Sequence, residues 1–199
     1  MRERPYCTAI LLAAGKGKRM GTTVSKQFLP ICGKEILAWT VDVFENSPSV
    51  DEIFLVAHAD GMDDVKQMQN AYLWKKVTRI VEGGKERQDS VYHGLRMLSE
   101  ESDVVLIHDG VRPFVTETMI SESIQAARQY GAAVIGVPVK DTIKICSADG
   151  MALETPERSS LWQIQTPQTF RREVIVSAYQ QAKEAQFLGT DDASVAEFA

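Results

Sequence analysis

Two glycines and three cations crowd into one short stretch, Ala13-Ala14-Gly15-Lys16-Gly17-Lys18-Arg19-Met20, and Lys26 follows in Ser25-Lys26-Gln27. Glycine lets backbone N–H groups come close to an anion, and lysine and arginine supply the opposing charge, so the stretch is suited to phosphate. It is not a Walker-type loop, which requires Gly-x-x-x-x-Gly-Lys-Ser/Thr. Nor is it a dinucleotide fingerprint, because Met20 stands where the third glycine would be, and that removes a nicotinamide dehydrogenase from consideration. A second polar cluster is His108-Asp109-Gly110-Val111-Arg112-Pro113. His58, His93 and His108 show no zinc-type spacing, and no Ser–His–Asp set is apparent. His108 reads as a residue that orients Asp109 by hydrogen bonding. Asp191-Asp192 beside Thr190 reads as a helix N-terminus before it reads as a metal site. Glu82 and Glu86 read as a solvated turn and helix start. Arg87 fits that reading and a ligand-binding one equally.

The elements that must position these groups alternate. Residues 6–14 form a short, nearly continuous apolar run, the pattern of a strand covered on both faces. A helix is expected from about Glu35 to Phe44, a strand over Glu52–Ala57, a helix over Asp60–Trp74 and a strand over Val77–Val81. After the Gly83-Gly84 turn come a helix over Arg87–Leu98, a strand over Val104–Ile107, a helix over Glu117–Tyr130 and a strand over Ala132–Val139. This alternation predicts an α/β fold with a mostly parallel sheet and helices on both faces. The glycine-basic loop then lies at the carboxyl end of its strand, where open α/β sheets bind ligands. From Asp141 the pattern changes to two short strands around an Asp149-Gly150 turn, a hairpin signal. So small a hairpin is not stable alone, and we expect an arm over about residues 140–160 that packs on a second copy of the chain. Trp162–Thr166 returns toward the core, with Trp162 packing arm against body, and a helix follows over Arg171–Ala185.

The chain has 199 residues, enough for one domain with an appendage. Hydrophobic residues make up 44%, too many for a disordered chain, and the net charge of −5 argues against a general nucleic-acid coat. No apolar run reaches membrane-spanning length, and the apolar stretch near the start ends too soon in Ala-Gly-Lys for a secretory signal. Cys7, Cys32 and Cys146 are scattered and odd in number, which suggests free thiols in a reducing compartment, hence a cytoplasmic protein.

The motifs together resemble a known family. Leu12-Ala13-Ala14-Gly15-x-Gly17-x-Arg19-Met20 with Lys26-Gln27 resembles the opening of the sugar-nucleotide and polyol-phosphate nucleotidyltransferases. Arg87-x-x-Ser90-Val91, His108-Asp109-x-x-Arg112-Pro113 and Trp162-x-x-Gln165-Thr166-Pro167-Gln168-x-Phe170 narrow it. With Asp141-Thr142 and Thr190-Asp191-Asp192, the resemblance is to the 2-C-methyl-D-erythritol 4-phosphate cytidylyltransferases of the non-mevalonate isoprenoid pathway, over essentially the whole chain. It implies a Rossmann-like three-layer nucleotidyltransferase fold, and a reaction joining CTP to the polyol phosphate with release of pyrophosphate. A ribitol-5-phosphate cytidylyltransferase or a non-catalytic nucleotide-binding protein of the same fold are the alternatives.

The resemblance also implies roles. Ala13, Ala14 and Gly15, with Gly84 and Ser90, would hold the cytosine end of the nucleotide. Arg19 and Lys26, with Lys16 alongside, would clamp the triphosphate and the charge developing at the α-phosphorus. Asp109 would lie near the ribose and bind Mg²⁺ or another divalent cation. Arg112, Thr142 and Arg158 would meet the phosphate of the alcohol, some of them across a homodimer. Where the family often has two alanines, or alanine and valine, this chain has Gly110-Val111, a change that removes no functional side chain. The family continues past Thr-Asp-Asp-Ala with a strand and helix bearing a Lys-Ile-Thr segment, which this sequence does not reach.

Overall fold

The computed structural model describes residues 4–15 and 25–199. Strand β1 (Cys7–Ala13) is followed by a small ribbon of β2 (Pro30–Ile31) and β3 (Lys34–Glu35), then helix α1 (Ile36–Asn46) and strand β4 (Glu52–Ala57). Helix α2 (Met62–Tyr72), strand β5 (Val77–Glu82), helix α3 (Arg87–Leu95), strand β6 (Val104–Asp109), helix α4 (Glu117–Tyr130) and strand β7 (Ala132–Pro138) come next. Strands β8 (Ile145–Cys146) and β9 (Ala152–Glu154) form the arm hairpin, before strand β10 (Trp162–Arg171) and helices α5 (Arg172–Glu184) and α6 (Asp192–Phe198).

Six strands make one sheet in the order β5-β4-β1-β6-β10-β7. The first four are mutually parallel, and β10 runs antiparallel to both β6 and β7. The α/β class is as expected, and the reason is visible in the alternation along each strand. Leu11, Leu55 and Leu106 face a layer with Leu37, Phe44, Val65 and Ile120 from α1, α2 and α4. Ile10, Phe54, Val105 and Ile107 face the opposite layer, with Val91, Ile175, Tyr179 and Val195 from α3, α5 and α6. Parallel strands covered on both faces need apolar residues at every position, which explains their unbroken apolar runs.

Two expectations need correction. Trp162–Thr166 is not a short return; it opens a ten-residue strand that runs on through Arg171 into the middle of the sheet. Its second half carries Gln168 and Thr169, polar residues that hide the strand pattern but are fully buried and hydrogen-bonded, Thr169 to Ser123 at 2.9 Å. Trp162 does not pack arm against body; it stands opposite Pro138 on the β10–β7 ladder and is 56% exposed.

From β1 the chain moves outward through β4 to β5, then crosses back past β1 to β6. The switch point of the sheet therefore lies between β1 and β6, and the loops leaving their carboxyl ends open a crevice there. Strand β7 rises to the same rim, the arm projects beyond it, and β10 descends from it. Phe170 is fully buried in the middle of this arrangement. Truncating it in Phe170→Ala is expected to remove about 3–5 kcal/mol of stability, read as a lowered urea midpoint.

Candidate active site

Three loops meet at the rim because their backbones bond to the strand ends. Gly83 N–H donates to Ala57 O at 2.8 Å, and Gly110 N–H donates to Leu12 O at 2.8 Å. Buried Gln27 donates from Nε2 to Ala13 O at 2.8 Å, which ties the turn bearing Lys26 to the end of β1. A Cβ on Gly83 would come within 2.6 Å of the Ala14 Cβ, so the turn after β5 can lie against the β1 loop only as glycine. A Cβ on Gly84 would come still closer, 2.2 Å, to the Asp89 Cβ, and the Gly84 N–H donates to Ser90 Oγ at 3.0 Å. A reciprocal capping box between Glu86 and Asp89 then starts α3. Ala13, Ala14, Gly84 and Ser90 are thus gathered beside Gly15 in one wall of the crevice.

Asp109 forms the opposite wall. Its backbone N–H donates to Thr166 Oγ1 at 3.2 Å, and Thr166 Oγ1 lies 2.9 Å from His108 Nδ1. His108 Nε2 faces Arg112 O at 3.1 Å. Since a carbonyl only accepts, Nε2 carries the proton, Nδ1 accepts from the Thr166 hydroxyl, and that oxygen accepts from Asp109. The chain of bonds accommodates a neutral imidazole and ties down the Asp109–Arg112 turn. Burial pushes the His108 pKa down to about 4, in keeping with that neutral form. His108 is therefore a positioning group, as its place at the strand end suggested.

The Asp109 carboxylate lies between two guanidinium groups, with Arg112 Nε at 2.8 Å and Arg87 Nε at 3.4 Å. Burial alone would raise its pKa; the Arg87 charge, with the hydrogen bond and charge of Arg112, outweighs burial and holds the group ionised below the ordinary range. Arg112 also reaches Gln165. Arg87 is no solvated helix start: its other two nitrogens grip fully buried Asp192 at 3.0 and 2.7 Å. Asp191 caps α6 by accepting from Ser194 N–H at 2.8 Å. The pair Asp191-Asp192 is thus structural in its first contacts.

The sequence reasoning missed Thr166 and Gln165 as parts of the site, and it left Arg87 undecided. Polar residues inside an otherwise buried strand were the signal for the first two. Lys16 and Arg19 lie outside the described residues. Thr142 and Arg158 come together elsewhere, in a cleft whose lining of Thr142, Ile143, Thr155, Pro156, Glu157 and Arg158 is all arm. Arg158 there donates to Lys140 O at 3.1 Å.

A Rossmann-like mixed sheet with a glycine turn, a capped helix start and an arginine-flanked carboxylate at its switch point defines a nucleotidyltransferase-type α/β protein. The chain belongs to the family described as IspD: 2-C-methyl-D-erythritol 4-phosphate cytidylyltransferase, whose sequence model matches residues 7–199. It is 48% identical over 191 residues to the 2-C-methyl-D-erythritol 4-phosphate cytidylyltransferase of Clostridioides difficile (strain 630), covering 96% of this chain and 80% of the relative. The enzyme of the same name from Alkaliphilus oremlandii is 44% identical, with 96% and 81% covered. Among solved structures, the 4-diphosphocytidyl-2C-methyl-D-erythritol synthase of Anaerococcus prevotii superposes with a TM-score of 0.85 at 34% identity, over 98% of this chain and 82% of that one. The 2-C-methyl-D-erythritol 4-phosphate cytidylyltransferase of Thermus thermophilus gives 0.75 at 28% identity, over 95% and 82%.

An unfolded histidine binds its proton near pH 6.5 and folded His108 only near pH 4, so between these values the unfolded chain holds more protons. His108 should therefore make stability fall as pH drops through that window, by up to about 1.4 kcal/mol per pH unit. Urea unfolding of His108→Gln, compared with the parent across the same pH range, should show a shallower decline.

Proposed function

We propose that this protein transfers the cytidylyl group of CTP to 2-C-methyl-D-erythritol 4-phosphate, giving 4-diphosphocytidyl-2-C-methyl-D-erythritol and pyrophosphate. The observation that carries this reading is the ionised Asp109 between Arg87 and Arg112, facing the Gly84–Ser90 turn across the switch-point crevice. A turn built of glycines and a helix start suits a nucleotide base, and the carboxylate with its arginines suits the ribose and phosphates beyond it.

In the reaction a phosphate oxygen of the polyol forms a bond to the α-phosphorus, and the bond from that phosphorus to the bridging oxygen of pyrophosphate breaks. The attacking oxygen is already anionic, so the transfer needs no strong general base. The barrier lies in bringing anions together at a crowded phosphorus, and fixed cations lower it. Lys26, anchored through Gln27 at the end of β1, is one such cation; Arg19 and Lys16 are assigned to the same task by the family resemblance. Arg112, held through Nε by Asp109 and through Nη1 by Gln165, keeps Nη2 uncommitted among the contacts described and would meet the phosphate of the polyol.

The family implies a divalent cation, and the residues fit one. Mg²⁺ commonly binds through one or two carboxylates together with substrate phosphates. Asp109 is an ionised, part-buried oxygen donor whose two bonds from arginine, one to each oxygen, leave the other lone pairs available. When bound, the ion would neutralise phosphate charge and orient the triphosphate.

The arm carries Thr142 and Arg158, and the cleft they line contains none of the Asp109 cluster. Ile143, Ile145, Met151 and Leu153 are exposed along it. Both observations support a homodimer in which each arm serves the neighbouring crevice. Among the described residues no helix is long and apolar enough to cross a membrane. The free cysteines, Cys7 buried and Cys32 and Cys146 exposed, support a reducing, cytoplasmic setting.

Pyrophosphate release from CTP and Mg²⁺ is expected with 2-C-methyl-D-erythritol 4-phosphate and not with ribitol 5-phosphate. Release with ribitol 5-phosphate alone moves the protein to the sister activity, and CTP binding without release from either makes it a nucleotide-binding protein. Lys26→Ala and Arg19→Ala should each lower kcat by about a hundredfold or more while CTP affinity falls far less. Equal losses would mean that the cations only anchor the ground state. Sedimentation at micromolar concentration should find a dimer, and replacing residues 143–154 by a short glycine turn should give a monomer of much reduced activity.

A further inference from the structure

Asp192 is fully buried, 105 residues from its partner Arg87, and belongs to no wall of the crevice. A buried carboxylate is unfavourable unless its charge and lone pairs are met. Here Oδ1 accepts from Arg87 Nη1 at 3.0 Å and from the Tyr179 hydroxyl at 2.5 Å, and Oδ2 accepts from Arg87 Nη2 at 2.7 Å. The bidentate grip fixes the plane of the guanidinium. With Nη1 and Nη2 committed, Nε is the nitrogen turned to Asp109.

The segment that presents Asp192 is itself held on two sides. Gly189 N–H donates to Gln88 Oε1 at 2.9 Å, and Gln88 Nε2 donates to Phe187 O at 2.9 Å, clasping the start of α3. Gln168 donates to Asp191 Oδ2 at 2.8 Å and accepts from Ala193 N–H at 2.9 Å, clasping β10. The first turn of α6 is thereby fastened to α3 and β10, and its buried charge meets Arg87 at the start of α3.

We propose that Asp192 is a positioning residue for the nucleotide site: through the two-ended guanidinium of Arg87 it sets the orientation of the Asp109 carboxylate relative to the Gly84–Ser90 turn. This rests on the reading of the crevice as the cytidylyltransferase site. Arg87 bridges two carboxylates that carry different duties, one buried and structural, the other facing substrate. A planar fork holds both at fixed angles; a lysine, a single ammonium nitrogen on a flexible stem, could approach either carboxylate and would fix the plane of neither.

The test uses the full chain, with kcat, KM for CTP, metal-free CTP affinity by calorimetry, and thermal melting. Arg87→Lys keeps a cation against Asp192 and gives up the bidentate fork, so it is expected to fold with a lowered melting temperature and is assayed well below it. Its kcat should fall by about tenfold to a hundredfold, as when outer partners of a site are removed, with metal-free CTP affinity changed by no more than about threefold. Asp192→Asn, assayed well below its own melting temperature, should fall similarly, and the double variant should be no worse than the poorer single one. Tyr179→Phe removes the other hydrogen bond to Asp192 without touching Arg87; it should lower the melting temperature and leave kcat within about twofold.

The proposal is overturned if folded Arg87→Lys and Asp192→Asn both keep kcat within about twofold of the parent, or if their effects multiply in the double variant. A kcat loss in Tyr179→Phe that tracks its loss of stability also overturns it, since the effect would then be structural. A parent protein without turnover on CTP and 2-C-methyl-D-erythritol 4-phosphate defeats the reading of the site, and this proposal with it.

Discussion

An ionised carboxylate at the end of an apolar strand is unfavourable unless cations meet it, and much of this structure can be read as the means of bringing two arginines to Asp109. Arg112 comes from the same turn, three residues on, and reaches back with little help. Arg87 comes from the start of a helix on the other side of β1, and it can reach only because the chain crosses back from β5 to β6. That crossing leaves the crevice between β1 and β6, and it sets the helix start bearing Ser90 against one wall while Asp109 occupies the other. The neutral histidine beneath completes the arrangement. Burial keeps the imidazole neutral, and a third cation buried there would compete with the arginines for the same carboxylate.

The molecule as a whole carries a net charge of −5, yet both proposed substrates are polyanions. Long-range attraction is therefore weak, and the proposed recognition depends on cations placed close to the phosphates. The anionic side chains near the site are already matched to internal partners: Asp109 and Asp192 to arginine, and Asp89 and Asp191 to backbone N–H groups in caps.

The parallel strands were legible because burial on both faces leaves no choice but apolar residues, and the glycine-rich turn was legible because close approach leaves no choice but glycine. The second half of β10 was not. Gln168, Thr169 and Thr166 are polar inside a sheet, and each is satisfied by a residue far away in sequence, Asp191, Ser123 and His108. A local periodicity cannot register a partner 23 to 58 residues distant. The same holds for Arg87: beside Glu86 and Asp89 it looks like one more exposed charge, and only the fold shows that Asp192 waits for it under α5. Family resemblance named Asp109 and Arg112, and the structure adds why they are rigid.

Strands β7 and β10, with everything between them, form one long hairpin whose tip is the arm and whose base is locked into the sheet. Sequence change at a hairpin tip leaves the pairing register below it untouched, because that register is set by Ala132–Phe170 and its neighbours. The arm is thus an outgrowth of a strand pair, while the turns that carry Gly84 and Asp109 are fixed to the ends of the central strands. The tip can therefore lengthen, shorten or exchange its residues without disturbing the strand ends that hold Asp109 and Gly84 in place.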